Sequence, residues 1–498
     1  MGARLTSGKL RLRNGALALT SGPVTPGVLS ALADFTDQRI FQRVGTSRAL
    51  TVNMTYTGNA PTGVEAQIVD FTSGSTIVDW TALTNLQASS GSATGQITVP
   101  QGGWYKLKIR SVSDRATVLT GTLKFGVGMV ICFCGQSNMY YFNTDYLKLP
   151  NCGPRSIEWI GGAYRRIGQY NDAYAASLLY NVAGGYSTYS RDNGNLQGDA
   201  LVIFVNAMVA ALNIPVLAIP VINSGMSIDT WIPASTTKWT ELATAIAAVG
   251  GDAEMFLWYQ GESDAVNKTS AYMKSAWDTL RQQFYTMTGR TSANSQFGIV
   301  SLGPGQYNSS TPGQFGAMRQ SQIEYGTSGQ QGVFYLGGAH DSDLRDGAVH
   351  LANAALLRMG KRWPAAALNR YGIGSVSTGP YVTGATRSGS TVTLTVAHTG
   401  GTALVDGAGG AGSALTGFEF KDSSGNVLTI NSTAILSATS LQFTVTGTPA
   451  TVSYAMMNYP HQASYSQSGA FVIASVVYDD VGPGYPLRPF AAIAITGG

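Results

Sequence analysis

The pentapeptide Gly135-Gln136-Ser137-Asn138-Met139 follows directly on the apolar run Met129-Val130-Ile131-Cys132-Phe133-Cys134. An unbroken apolar run of this length reads as a strand buried on both faces, the kind found in sheets covered by helices. The glycine at its end opens a sharp turn and lifts the following serine hydroxyl out of the sheet, where a nucleophile has to stand. A serine after a strand also commonly caps the next helix. Ser137 therefore gains its meaning from what the rest of the chain places beside it.

Three further segments have the character of strand ends or helix starts. Asn223-Ser224-Gly225-Met226-Ser227-Ile228-Asp229-Thr230-Trp231 follows the run Val216 to Ile222, and Trp258-Tyr259-Gln260-Gly261-Glu262-Ser263-Asp264 ends the run Met255 to Leu257. Asp346-Gly347-Ala348-Val349-His350 leads into a helical pattern with Ala352, Ala355, Leu356, Met359 and Trp363 on one side. Together the four segments resemble the sialate O-acetylesterase family of carbohydrate esterases, a branch of the SGNH/GDSL hydrolases. GQSNM and QGESD are the specific parts. The resemblance implies a flavodoxin-like SGNH hydrolase fold, a three-layer α/β/α core with a mostly parallel sheet. It also implies a serine hydrolase that removes acetyl groups from sugars through an acyl-enzyme.

The pattern along the chain agrees with an α/β core between β-rich flanks. Residues 1–40 lack clear periodicity and suit an arm or anchor. Residues 41–125 alternate strictly: in Trp104 to Arg110, Tyr105, Leu107 and Ile109 share one face and the basic residues the other, which predicts a β-sandwich. Residues 126–370 switch to strands separated by helices, including Ala200 to Leu212 behind Asp199 and Thr269 to Met287, whose Met273, Trp277, Leu280, Phe284 and Met287 line one face. Such alternation implies a parallel sheet with function at the carboxyl ends of its strands. Helical patterns stop at Pro364, and residues 371–498 read as a second β-sandwich.

Composition excludes several function classes. A net charge of +4 over 498 residues, with no basic stripe, offers nothing to neutralise a row of phosphates, so no nucleic-acid partner is expected. No apolar stretch reaches membrane-spanning length, and Ala16 to Leu19 is too short for a signal-peptide core. With few charges and 61 glycines the chain suits an extracellular or virion protein such as a phage-tail component; the oligomeric state stays open, and a homo-oligomer in the form of a trimer would suit a tail protein. The three cysteines, Cys132, Cys134 and Cys152, read as small apolar fillers, and four histidines without ligand spacing leave no metal site to expect. No cofactor is required.

Ester hydrolysis needs a nucleophile, a base that holds its proton for the leaving alcohol, and donors for the oxyanion. Ser137 supplies the oxygen and His350, anchored before a helix, the base; His340, His398 and His461 lack such support. The third member should be a carboxylate that fixes the imidazole tautomer. In the family an aspartate precedes the histidine by three positions, but here that position is Gly347. Asp346 is assigned the role on the condition that the loop bulges by one residue, with Asp343 and Asp341 as alternatives. The oxyanion donors are the Ser137 and Gly225 amides and, since an ionised Glu262 or Asp264 cannot donate, the side chain of Gln260. Glu262 and Asp264 are then loop-ordering residues and Trp231 is a candidate sugar platform. The expected partner is an acetylated carbohydrate: sialic acid, acetylated xylan or a bacterial capsule or lipopolysaccharide. A glycan-binding tail adhesin with an esterase-like scaffold is the alternative.

Overall fold

The computed structural model describes residues 10–13, 16–19, 27–144, 155–160, 163–166, 199–305, 313–374, 378–407, 414–461, 476–482 and 484–497. The expectation for Cys152 lies outside them. The chain divides into two compact units, Met1–Gly128 and Met129–Gly498.

The first unit is built from antiparallel ladders. Ser47–Thr57 buries every second residue from Leu50 to Tyr56 and pairs with Val28–Ala33 on one side and Ser92–Pro100 on the other. Gly102–Ser111 pairs with Val64–Asp70 and buries Tyr105, Leu107 and Ile109, the alternation read from the sequence. Leu50, Val52 and Met54 from one ladder and Ile68, Leu107 and Ile109 from the other enter one apolar cluster. The unit thus reaches back beyond residue 41, because Val28–Ala33 belongs to its ladder. Residues 1–40 also hold a short hairpin, Leu10–Arg13 with Ala16–Leu19.

The second unit is α/β. Its central strand is the part from Met129 onward of β1 (Phe125–Gly135), which is buried along its whole length; this explains why its sequence is continuously apolar where half-buried strands alternate. Strands β2 (Ser156–Ile160), β4 (Val216–Ile222), β5 (Met255–Tyr259), β6 (Gln296–Ser301) and β7 (Val333–Gly338) run parallel in the order β2-β4-β1-β5-β6-β7, and β3 (Ala163–Arg166) adds an antiparallel edge to β2. Helices α1 (Ser137–Thr144), α2 (Asp199–Leu212), α3 (Thr237–Val249), α4 (Ser270–Thr288), α5 (Gln314–Gly326) and α6 (Asn353–Asn369) alternate with these strands. Helix α4 shows how local sequence sets the limits. The Thr269 hydroxyl accepts from the Tyr272 amide at the start, Gly289 closes the end in the left-handed conformation (φ 67°), and Met273, Trp277, Leu280 and Phe284 are buried.

Helix α6 runs through Pro364 to Asn369, five residues beyond the stop expected from the sequence. A proline removes one helix bond, but Trp363, Ala366 and Ala367 on either side of it are buried, and their packing holds the helix together. Eight strands after residue 380 form a sheet around Val392, Leu394, Phe420, Phe443 and Tyr454, and Leu404–Asp406 pairs separately with Val477–Asp479, all inside the same compact unit as the α/β region.

The strand order places the site. The chain passes from β4 on one side of β1 to β5 on the other, so the connections leaving the carboxyl ends of β1, β4 and β5 diverge around one crevice. The first three sequence motifs are those connections.

Candidate active site

Gly135 ends β1 at φ 151°, and a Cβ built there would stand 2.0 Å from the carbonyl oxygen of Tyr259 at the end of β5. Only glycine fits so close an approach. The Gln136 amide donates to that same carbonyl (3.1 Å) and the Gly135 carbonyl accepts from the Asn223 amide (2.9 Å), which ties the three strand ends together. Ser137 is the first residue of α1 and is 8 % exposed.

His350 reaches this point from the loop before α6. Its Nε2 lies 3.0 Å from Ser137 Oγ, and its Nδ1 lies 2.5 Å from Asp346 Oδ2. With the proton on Nδ1 facing the carboxylate, Nε2 accepts from the serine hydroxyl. Asp346 Oδ1 accepts in addition from the amides of Ala348 (2.8 Å), Val349 (3.1 Å) and His350 (3.1 Å). Partial burial pushes this carboxyl up, but the His350 bond and the loop amides outweigh it and hold the group well below the usual carboxylate range. The extra residue between acid and histidine is absorbed by Gly347, which takes the left-handed conformation (φ 66°) that other residues resist. The carboxylate on His350 Nδ1 is that of Asp346, and the alternative Asp341 is engaged elsewhere. Asp341 is buried in a bidentate pair with Arg362 (3.0 and 2.8 Å) and accepts from the Tyr478 hydroxyl. Asp343 has its carbonyl bonded to the Ala352 amide and a half-buried carboxyl pushed up by desolvation.

Residues 188–369 match the family model described as carbohydrate esterase, sialic acid-specific acetylesterase. The likeness extends over that segment, 182 of the 498 residues. Three of the four motifs lie inside the matched residues, and Ser137 lies outside them, joined to them by the His350 bond. Among solved structures, a carbohydrate acetylesterase from Xanthomonas citri is similar in fold, with a TM-score of 0.58 at 15% identity over 93% of this chain and 99% of that one. A protein from Arabidopsis thaliana aligns with 49% of this chain and 99% of its own at 16% identity and a TM-score of 0.38. No curated protein sequence matches the chain.

Two backbone amides on the strand connections have no backbone acceptor among the described residues: that of Ser137, in the first turn of α1, and that of Gly225, whose φ of 70° lets the chain turn back after β4. Gln260 departs from the expected donor role. Its Nε2 donates to Asp264 Oδ2 (2.7 Å) and to the Met226 carbonyl (3.3 Å), because the carboxylate one turn later captures the amide. Asp264 Oδ2 also accepts from the Ile228 amide (2.8 Å), so Asp264 orders the loop that carries Gly225. Burial raises the Asp264 carboxyl above its ordinary range. Trp231 is fully buried with its ring 5.2 Å from that of Trp258, edge to face, so it is a core residue and not a sugar platform.

Glu262 is buried too, and desolvation pushes its carboxyl up to about 6 against the bond it accepts from Asn138 Nδ2 (2.6 Å). Asn138 is the residue that motif reading passed over. The signal was its place beside Ser137, but its partners are 124 and 211 positions away in the chain. Tyr459 was likewise missed, and its hydroxyl donates to the carbonyls of Gly347 (3.4 Å) and Ala348 (3.3 Å) in the acid–histidine loop. The other histidines have structural partners. His340 is buried with Nε2 on the Leu487 carbonyl (3.0 Å), and burial lowers it to about 4. His461 meets Thr416 and Tyr454, and His398 the Ala438 carbonyl.

Proposed function

We propose that the protein is a carbohydrate O-acetylesterase with Ser137 as nucleophile, His350 as base and Asp346 as the acid that orients it. The supporting observation is the unbroken Asp346–His350–Ser137 hydrogen-bond chain at the divergence of strand connections. The parallel strands and their alternating helices support a flavodoxin-like SGNH core, and the alternating strands before and after it support the reading of flanking β-sandwiches.

Ser137 Oγ attacks the acetyl carbonyl carbon while its proton passes to His350 Nε2. Negative charge collects on the carbonyl oxygen, where the Ser137 and Gly225 amides donate to it. The intermediate collapses as the C–O bond to the sugar breaks and the alkoxide takes the proton from Nε2, leaving acetyl-Ser137. Water then gives its proton to Nε2 and its oxygen to the acyl carbon; acetate leaves and Ser137 regains its hydrogen. Asp346 stays ionised and stabilises the imidazolium. The substrates are acetylated sugars of the sialate type or of bacterial capsule or lipopolysaccharide, met outside the cell or from a virion.

The test is acetate release from a panel of acetylated glycans by the wild-type chain and by Ser137→Ala. Release by the wild type alone is expected, with acetyl-Ser137 recovered by mass spectrometry after rapid quenching. Hydrolysis by the alanine variant refutes the mechanism, and glycan retention without any acetate release replaces it by the adhesin reading.

A further inference from the structure

Asp346 and His350 lie on one loop, so their hydrogen bond fixes the imidazole relative to that loop and not relative to Ser137. Another tie has to register the loop against the serine. Asn138, adjacent to Ser137 and 1 % exposed, makes it. Its Nδ2 donates to the Val349 carbonyl (3.0 Å) and its Oδ1 accepts from the Leu351 amide (3.0 Å). Those residues are the two chain neighbours of His350, so a single carboxamide grips the backbone on both sides of the histidine. The second Nδ2 hydrogen goes to Glu262 Oε1 (2.6 Å), on the connection that leaves β5. A carboxylate only accepts, which fixes the orientation of the Asn138 amide; rotated by half a turn it would set oxygen against oxygen at both Glu262 and Val349.

We propose that Asn138 and Glu262 are positioning residues, a buried clamp that sets the Ser137–His350 separation. The proposal rests on the reading of Ser137 and His350 as nucleophile and base. Burying a carboxyl of raised affinity for protons, with Oε2 lacking a hydrogen-bond partner among the described residues, is costly to the fold. A site that bears that cost and spends the other oxygen on one asparagine is built for orientation.

The experiment uses the full chain with Asn138→Ala, Glu262→Ala, Glu262→Gln and the double alanine variant, with Ser137→Ala as reference. The readouts are kcat and KM on 4-nitrophenyl acetate, the rate of labelling by a fluorophosphonate, and melting by circular dichroism. A displacement of about 1 Å in a reacting group costs on the order of 10²-fold in rate. Each single alanine variant should therefore lose about that much in kcat and in labelling rate, with KM within about threefold of wild type. The double variant should be no slower than Asn138→Ala, because the two residues act as one unit. Glu262→Gln, whose Oε1 still accepts from Asn138, should recover most of what Glu262→Ala loses. If Asn138→Ala does not fold, Asn138→Asp takes its place, being similar in shape yet unable to donate to Val349. Losses that multiply in the double variant, or a lowered melting temperature with kcat within threefold of wild type, overturn the clamp. Failure of the underlying reading looks different: Ser137→Ala then keeps its activity and the fluorophosphonate does not label Ser137.

Discussion

Replacing Asp346 by Asn exchanges one oxygen for an NH2 group and tests the site at a single atom. The three loop amides on Oδ1 can keep their acceptor in the variant, since the amide oxygen takes that place. The NH2 group then faces His350 Nδ1, which has to become an acceptor, and the imidazole proton moves to Nε2. There it points at Ser137 Oγ, 3.0 Å away, and the base can no longer receive the serine proton. In a serine hydrolase this tautomer change costs about 10⁴ in kcat, or roughly 5.5 kcal/mol of transition-state stabilisation. The assay is hydrolysis of 4-nitrophenyl acetate alongside acetate release from a glycan, with KM expected to move little because Asp346 does not touch substrate in the proposed mechanism. A second reading comes from acid unfolding. The folded-state carboxyl lies below its unfolded value, so its contribution to stability is present above about pH 4 and is lost as pH falls through the folded value. The Asn variant lacks that contribution, and the difference in melting temperature between the two proteins should close below pH 4. A variant within tenfold of wild-type kcat at neutral pH refutes the assignment of Asp346 and the tautomer argument with it.

Gly347→Ala places a side chain where φ is 66°, at a local cost of about 1–2 kcal/mol. Because that residue sets the reach of Asp346, kcat should fall by more than the change in melting temperature implies, and an unchanged kcat would show that the bulge is dispensable. Glu262 has a folded-state carboxyl raised to about 6 from an ordinary 4.5, so proton binding favours the fold below pH 4.5 and the benefit is lost as pH rises through 6. Its size is about 2 kcal/mol, and urea titrations of wild type and Glu262→Gln at pH 4.5 and 7 should show the wild type losing that much relative to the variant. Arg319 is fully buried, lowered to about 9 by desolvation, and its guanidinium donates to the carbonyls of Gly303, Ala455, Met457 and Asn458. Arg319→Met leaves those acceptors unmet and should cost about 3–5 kcal/mol in urea unfolding.

What was legible in the sequence follows from the range of the forces involved. Burial on both faces writes a continuous apolar run into β1, and burial on one face writes the alternation of Tyr105, Leu107 and Ile109, so both strand types could be read directly. Val28–Ala33 could not, because its side chains are mostly exposed and only the ladder to Ser47–Thr57 holds it. Ser137, His350 and Asp346 could be singled out because the proposed ester hydrolysis needs particular types of side chain at strand or helix ends. Gln260 was misjudged for the opposite reason. Its residue type allows donation to an oxyanion, but a competing acceptor at Asp264 decides where the amide points, and that competition depends on loop geometry. Asn138 was hidden because an asparagine after a serine has many local uses, and only the fold brings Val349, Leu351 and Glu262 to it.

The end of the chain takes part in the site's rigidity. The Asn458 carbonyl accepts from the Gly305 amide (2.9 Å), and its side-chain oxygen accepts from the Phe315 amide (3.3 Å) at the start of α5. Tyr459, the next residue, reaches the Gly347 and Ala348 carbonyls, and the Leu487 carbonyl receives the His340 ring. The loop carrying Asp346 and His350 is therefore held from two sides, by Asn138 at the residues flanking the histidine and by Tyr459 at the bulge. A loop held at one point can pivot about it, whereas two separated points fix both its position and its tilt. The 3.0 Å approach of Nε2 to Ser137 Oγ needs both, because proton transfer is sensitive to the direction of the bond as well as its length. The strands after residue 380 are thereby coupled mechanically to the proposed active site, and loosening their attachment at Arg319 should be felt at His350 before the α/β core itself gives way.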